Sequence, residues 1–165
     1  MLFLLSLSAA ADKLYYNDYA NNAQFNWSVL QGEREYILDL GQETIRFSFG
    51  SNLKSACEGE KASVIKSSKS NNDCTVLGKH EFSSYSPFTA LNNPGIDVIY
   101  KEGSLCEGGG KRKWTEFRFI CSKEEHDFSI WSIGGGCRTV IQKYSKLGCP
   151  ESIVDNFWGK VFICA

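Results

Sequence analysis

An all-β fold, antiparallel and closed into a flattened barrel or sandwich, follows from three features of the sequence. Apolar residues recur at every second position in several short runs, the spacing of a half-buried strand. No window of eleven or more residues carries a convincing 3.6-residue apolar period, apart from a weak one after Glu151. The 165 residues include 15 Gly and 7 Cys, with 13 % aromatics, so short strands, frequent turns and covalent staples are expected. That length fits one domain.

The elements follow in order. Leu2 to Leu7 form an apolar run that passes into Ser8-Ala9-Ala10-Ala11. Residues 1–11 therefore read as a secretory signal peptide, although no Lys or Arg follows Met1. Residues 12–30 are polar and Asn-rich at the start and read as an extended lead-in; Asn26-Trp27-Ser28 is an N-glycosylation sequon. The β domain is placed at 31–150. Its first strands are Tyr36 to Leu40 and Ile45 to Phe49, joined by a turn at Gly41-Gln42. Lys66 to Asp73 is polar and reads as a solvated loop. Ile96, Val98 and Tyr100 mark a third strand, set off by Asn93-Pro94-Gly95. Trp114 to Cys121 alternates Phe117, Phe119 and Cys121 against Glu116 and Arg118; Phe128 to Ile133 and Cys137 to Lys143 complete the set. Residues 151–165 are a tail with an apolar end, suited to a secreted domain or to the luminal part of a longer membrane protein.

Composition narrows the function. A net charge of −1 provides no field to attract nucleic acid or an anionic membrane. No apolar run reaches the roughly 18 residues needed to span a bilayer. There is no CxxC pair, and His80 and His126 lie at no metal-ligand spacing from a cysteine, so disulfides rather than a metal or other cofactor are expected. Lys111-Arg112-Lys113 beside Gly108-Gly109-Gly110 allows an anion or phosphosugar clamp, but a solvated hairpin tip is the preferred reading. His126 among Lys123, Glu124, Glu125 and Asp127 reads as a charged loop. Ser83, Ser84 and His80 stand in no nucleophile-elbow context. Glu116 and Asp97 suit a carboxylate pair for glycoside chemistry, yet alternation places them equally well toward solvent. Trp114, Trp131 and Trp158 read as core or rim packing.

One constellation goes further. Leu77-Gly78, Gly95-Ile96-Asp97-Val98-Ile99-Tyr100, Gly103-Ser104-x-Cys106 and Phe117-x-Phe119-Ile120-Cys121 are followed by Cys137 and Cys149, twelve residues apart. In this order they resemble the mannose 6-phosphate receptor homology (MRH) domain, from Cys57 to Cys149. The resemblance implies a flattened barrel of two crossed antiparallel sheets. It implies the pairs Cys106–Cys137, Cys121–Cys149 and Cys57–Cys74, and leaves Cys164 over; spacing alone does not choose among connectivities.

The family binds mannose through a Gln, an Arg, a Glu and a Tyr. The matching positions here are Thr75, then Lys113 with Arg112 one residue out of phase, then Ser129 to Gly136 with no acid, and Thr139. A lysine replaces a guanidinium only as a point charge. Each lost partner leaves a buried polar group at a cost of about 1–3 kcal/mol. Ordinary mannose recognition is therefore not expected, unless Arg112 or Asp127 fills a vacant role. The resemblance to the luminal domain of the autophagy-related protein 27 family implies a non-catalytic binding domain in protein sorting or trafficking. Its partners would be luminal protein or glycoprotein cargo, without nucleic acid and without a cofactor. Membrane contact would come only through a span downstream of Ala165. Its site would be the lumen of the Golgi, endosome or vacuole, or the extracellular space. The alternatives are a lectin for mannose or mannose 6-phosphate type glycans, and a secreted glycosidase or its accessory subunit.

Overall fold

In the computed structural model of the protein, residues 14–153 are described, apart from 33, 72, 91–92 and 135. The signal peptide, the tail beyond 153, Trp158 and Cys164 lie outside the described residues. Eight strands form one sheet: β3 (Tyr36–Asp39), β4 (Glu43–Phe47), β5 (Val64–Ser68), β6 (Cys74–Ala90), β7 (Asn93–Lys101), β8 (Trp114–Cys121), β10 (Arg138–Ser145) and, at the edge, β9 (Ser129–Gly134). A three-stranded sheet joins β1 (Tyr15–Asp18), β2 (Ala23–Asn26) and β11 (Glu151–Ser152).

Neighbours are antiparallel except β8 and β10, which run parallel. The chain leaves β8, crosses to the edge as β9, and returns as β10 into the place between them. The large sheet curls until its two ends meet. Tyr36 on β3 packs edge-on against Phe128 just before β9, with ring centroids 5.1 Å apart. The inward positions of the alternating strands thereby fill one core. Phe47 and Phe49 meet Phe117 at 5.1 and 4.8 Å, and Ile45, Ile96, Val98, Tyr100, Phe119 and Ile141 are buried around them. The result is an all-β, nearly closed barrel.

Three disulfides pin its loops: Cys57–Cys74, Cys106–Cys137 and Cys121–Cys149, with Cα atoms 5.7, 5.1 and 4.3 Å apart. These are the pairs that the resemblance implies. On the chain-entropy estimate each stabilises the fold by about 3–4 kcal/mol. The first also gathers Leu53, Cys57, Ala62, Ile65 and Val76 into a small second cluster.

The elements differ from expectation in four places. Residues 14–30 are a hairpin packed onto the domain rather than a lead-in, with Leu14, Phe25, Trp27 and Leu30 buried. Trp27 is fully enclosed, 5.2 Å from the Tyr85 ring. The loop at 66–73 is shorter, because β5 continues through Ser68. The 17-residue β6 has no apolar alternation to announce it. Its second half pairs only with β7, so Pro87 sits at a sheet edge, where a missing amide donor is tolerated. Asn93-Pro94-Gly95 opens β7 instead of standing apart from it.

Candidate functional site

Strand alternation places Asp97, Ile99 and Lys101 of β7, and Trp114, Glu116 and Arg118 of β8, on the outward face of the sheet. Register aligns them: Asp97 faces Arg118, Ile99 faces Glu116, and Arg138 of β10 lies beside Trp114. Solvation of Asp97 and Glu116 is expected from the alternation, but they are only 9 % and 5 % exposed. The reason is a chain of alternating charges under an aromatic roof. Arg118 donates from Nε to Asp97 Oδ1 at 3.0 Å and from Nη2 to Glu116 Oε1 at 2.7 Å. Arg138 donates to both oxygens of Glu116, at 2.9 and 2.8 Å. The Arg118 guanidinium lies 5.0 Å from the Phe88 ring and 5.2 Å from the Trp131 ring.

Phe88 reaches this position because residue 95 is glycine. A Cβ there would fall 2.4 Å from Phe88 Cζ and 2.5 Å from the Phe119 carbonyl oxygen. Burial pushes the Asp97 carboxyl above its ordinary range, outweighing the Arg118 hydrogen bond, and the Glu116 charge adds to the rise. The hydrogen bond with Asp97 holds Arg118 more firmly protonated. Neither carboxylate of the pair considered for glycoside chemistry is free to relay a proton to a ligand, since arginines hold both.

Toward the other end of the same face the network opens into a cleft of about 370 Å³. It is lined by Ile99, Lys101, Glu102, Lys111, Arg112, Lys113 and Trp114. One wall is the hairpin tip at 103–113. Gly108, Gly109 and Gly110 turn it with φ of +90°, +76° and +81°, which only glycine adopts without strain. The Cys106–Cys137 disulfide and the bond from Trp114 N to the Cys137 carbonyl anchor this tip to the start of β10. Arg112 is spoken for, with Nε 3.2 Å from Glu102 and Nη1 donating to the Gly103 carbonyl at 3.1 Å. Lys113 Nζ donates to the Gly136 carbonyl. Lys101 and Lys111 are exposed and make no ion pair among the described residues.

Of the residues at the family positions, Lys113 and its out-of-phase neighbour Arg112 thus share a cleft. Thr75 is half-buried on β6 opposite Lys66, and Thr139 is buried beside Thr115 in the core-facing row of β10; neither lines the cleft. Asp127 lies in a different cleft at the barrel mouth, of about 420 Å³, with Arg34, Tyr36, Phe128 and Lys143 among its lining. There Arg34 stands 5.0 Å from the Tyr36 ring, and Lys143 lies 5.3 Å from the Phe128 ring.

No motif marks Lys101, Trp114, Arg118 and Arg138 as a binding set; of the four, the period-two alternation sets only Arg118 opposite the Phe117 and Phe119 side of its strand. His80 Nδ1 is 2.7 Å from Ser63 Oγ, but that serine is fully buried. His126 lies exposed beside Glu124, at 3.8 Å. Trp131 is 56 % exposed and Trp114 half-buried. The sequon Asn26 is exposed, and its Oδ1 accepts from Ser28 N at 2.9 Å. Among the described residues, no three His, Cys, Asp or Glu are grouped to hold a metal, and no helix is long and apolar enough to cross a membrane.

No protein family model matches the chain, and no curated protein matches it. Solved structures do. The chain is similar to the MRH domain of glucosidase II beta in its crystal structure bound to mannose, with 17% identity over 74% of this chain and 99% of that one, at a TM-score of 0.40. It is also similar to the MRH domain of Yos9 in solution, complexed with alpha3,alpha6-Man5. That match has 17% identity over 69% of this chain and 75% of that one, with a TM-score of 0.41.

Proposed function

We propose that this chain is a non-catalytic binding domain of the secretory or endomembrane lumen, engaging protein or glycoprotein cargo in sorting or trafficking. One observation carries the reading. The outward face of β7, β8 and β10 is built as a fixed surface, its acids neutralised by Arg118 and Arg138, with unpaired cations left at one end. Such a surface binds; it offers no carboxylate free for acid–base work. Three disulfides suit an oxidising compartment. The buried Thr139 argues against the family's own mannose contacts at that position.

A lectin reading has one observation in its favour, the barrel-mouth cleft with two aromatic rings and both signs of charge. The purified domain should bind luminal glycoproteins saturably in surface plasmon resonance, and binding should survive enzymatic removal of their N-glycans. Loss on deglycosylation would transfer the function to the lectin. Absence of binding together with turnover of a chromogenic glycoside would overturn both.

A further inference from the structure

We infer that the cleft between β7 and the 103–113 hairpin tip docks an extended acidic peptide segment of the partner. This rests on the reading of the chain as a cargo-binding domain and assigns its contact site. Charge is the first argument. Four cations, Lys101, Lys111, Arg112 and Lys113, stand against the single carboxylate of Glu102 in the cleft lining, a local excess of three on a chain whose net charge is −1. Opposite-sign fields of this kind set both encounter rate and partner choice.

The state of each cation is the second argument. Glu102 and the Gly103 carbonyl occupy Arg112, and Lys113 is tied to Gly136, so these two shape the wall. Lys101 on β7 and Lys111 on the tip remain available. They arrive from two different elements, so a ligand that satisfies both must lie across the cleft. As ammonium point charges they accept carboxylates from many directions, which suits flexible Asp and Glu side chains better than a fixed fork would.

The floor is the third argument. Ile99 and Trp114 present apolar surface between the charges, and Leu105, 61 % exposed, pairs with Arg112 beside it. An acidic segment carrying one apolar side chain fills that pattern. The tip itself is held by Cys106–Cys137, so the wall is pre-organised and less ordering is needed on binding.

The test is fluorescence anisotropy of a labelled peptide of Asp and Glu with one central Leu, against its Lys-substituted counterpart and a heparin-derived sulfated oligosaccharide. The acidic peptide should bind, with affinity falling as salt rises. The K101E/K111E double variant should bind at least about tenfold more weakly, from the two exposed charge pairs it reverses, with an unchanged melting temperature. W114A should weaken the Leu-containing peptide more than an all-acidic one. Failure of the wild type to prefer the acidic peptide overturns the inference, as does equal binding by K101E/K111E. Binding of the sulfated oligosaccharide without the peptide also overturns it and assigns the cleft to an anionic glycan. Luminal glycoprotein capture that is unchanged in K101E/K111E sinks this assignment and leaves the cargo-binding reading standing; its absence from the wild type sinks that reading instead.

Discussion

Arg118 is the joint of the outward face, and Arg118→Met measures what that joint contributes. The substitution keeps an unbranched apolar stem between Phe88 and Trp131 and removes three hydrogen bonds, at 3.0 and 3.3 Å to Asp97 and 2.7 Å to Glu116. Breaking a buried ion pair by deleting one partner costs about 3–5 kcal/mol. Here Glu116 keeps both bonds from Arg138, and the Arg118 side chain is 20% exposed, so the expected loss is smaller, about 2–3 kcal/mol. In urea that is a midpoint lower by about 1 M, for a slope near 2 kcal/mol/M.

The loss should depend on pH, and the sign follows from Asp97. Its carboxyl is already raised by burial, so ionisation opposes folding. That opposition is absent below the ordinary aspartate value and complete once pH has risen through the folded value. Without Arg118 the folded value climbs further. Arg118→Met should therefore cost most near neutral pH and less at an acidic pH below the raised folded value, where Asp97 takes up a proton. The D97N/R118M variant should recover part of the neutral-pH loss and abolish its pH dependence. Chemical denaturation of wild type and both variants at the two pH values decides it. A loss under about 0.5 kcal/mol, or one equal at both pH values, would refute a buried, Arg118-dependent network.

Further expectations follow from the same structure. Replacing Cys121 and Cys149 by Ala should cost about 3–4 kcal/mol in calorimetry or denaturation, and C106A/C137A should additionally weaken acidic-peptide binding because it releases the 103–113 tip. Secretion from eukaryotic cells should yield a product whose mass falls on N-glycosidase treatment, and Ser28→Ala should abolish the difference. A chain cut to residues 31–150 should be insoluble or lack a cooperative transition, since it loses the fully buried Trp27 along with Leu14, Phe25 and Leu30. Glu125→Gln should destabilise only slightly at neutral pH, by about 0.5 kcal/mol, because the side chain is 55% exposed and solvent screens it; hydrogen bonds to Lys146 N, Ser145 and Lys143 outweigh partial burial and hold its carboxyl low. That contribution is present above the unfolded value and lost as pH falls through the folded one, so wild type and variant should converge in acid.

Much of the large sheet is legible because β3, β4, β7, β8 and β10 each turn one apolar row toward the core, and such a row is what period-two alternation records. The boundaries of β8 agree to the residue, since its core side is Thr115, Phe117 and Phe119 without interruption. β6 was hidden for the opposite reason. Ser83, Ser84 and Ser86 face little core, and half of the strand is an edge. The parallel pairing of β8 with β10 leaves no local trace either. It depends on β9 passing over a vacant place that a later segment fills, a choice made by the whole sheet. The hairpin at 15–26 was masked by its own polarity, its buried residues being too sparse to show a period.

The candidate site divides along the same line between local and non-local causes. Alternation assigned Asp97, Glu116 and Arg118 to one face and implied solvent there. What encloses them is Phe88 of β6 and Trp131 of β9, side chains on neighbouring elements rather than on the strands that carry the charges, and it works only because Gly95 leaves room for Phe88. The basic triplet shows the same dependence. As a sequence, Lys111-Arg112-Lys113 is equally a solvated tip and an anion clamp. The distinction lies in partners the triplet cannot specify: Glu102 and Gly103 withdraw Arg112, Gly136 withdraws Lys113, and Lys101 stands across the cleft to complete a second unpaired charge with Lys111. A run of three cations thus reduces to one available ammonium on the tip and one on the strand opposite. Two charges on separate walls, over an Ile99 and Trp114 floor, select for the spacing of a ligand as well as for its sign.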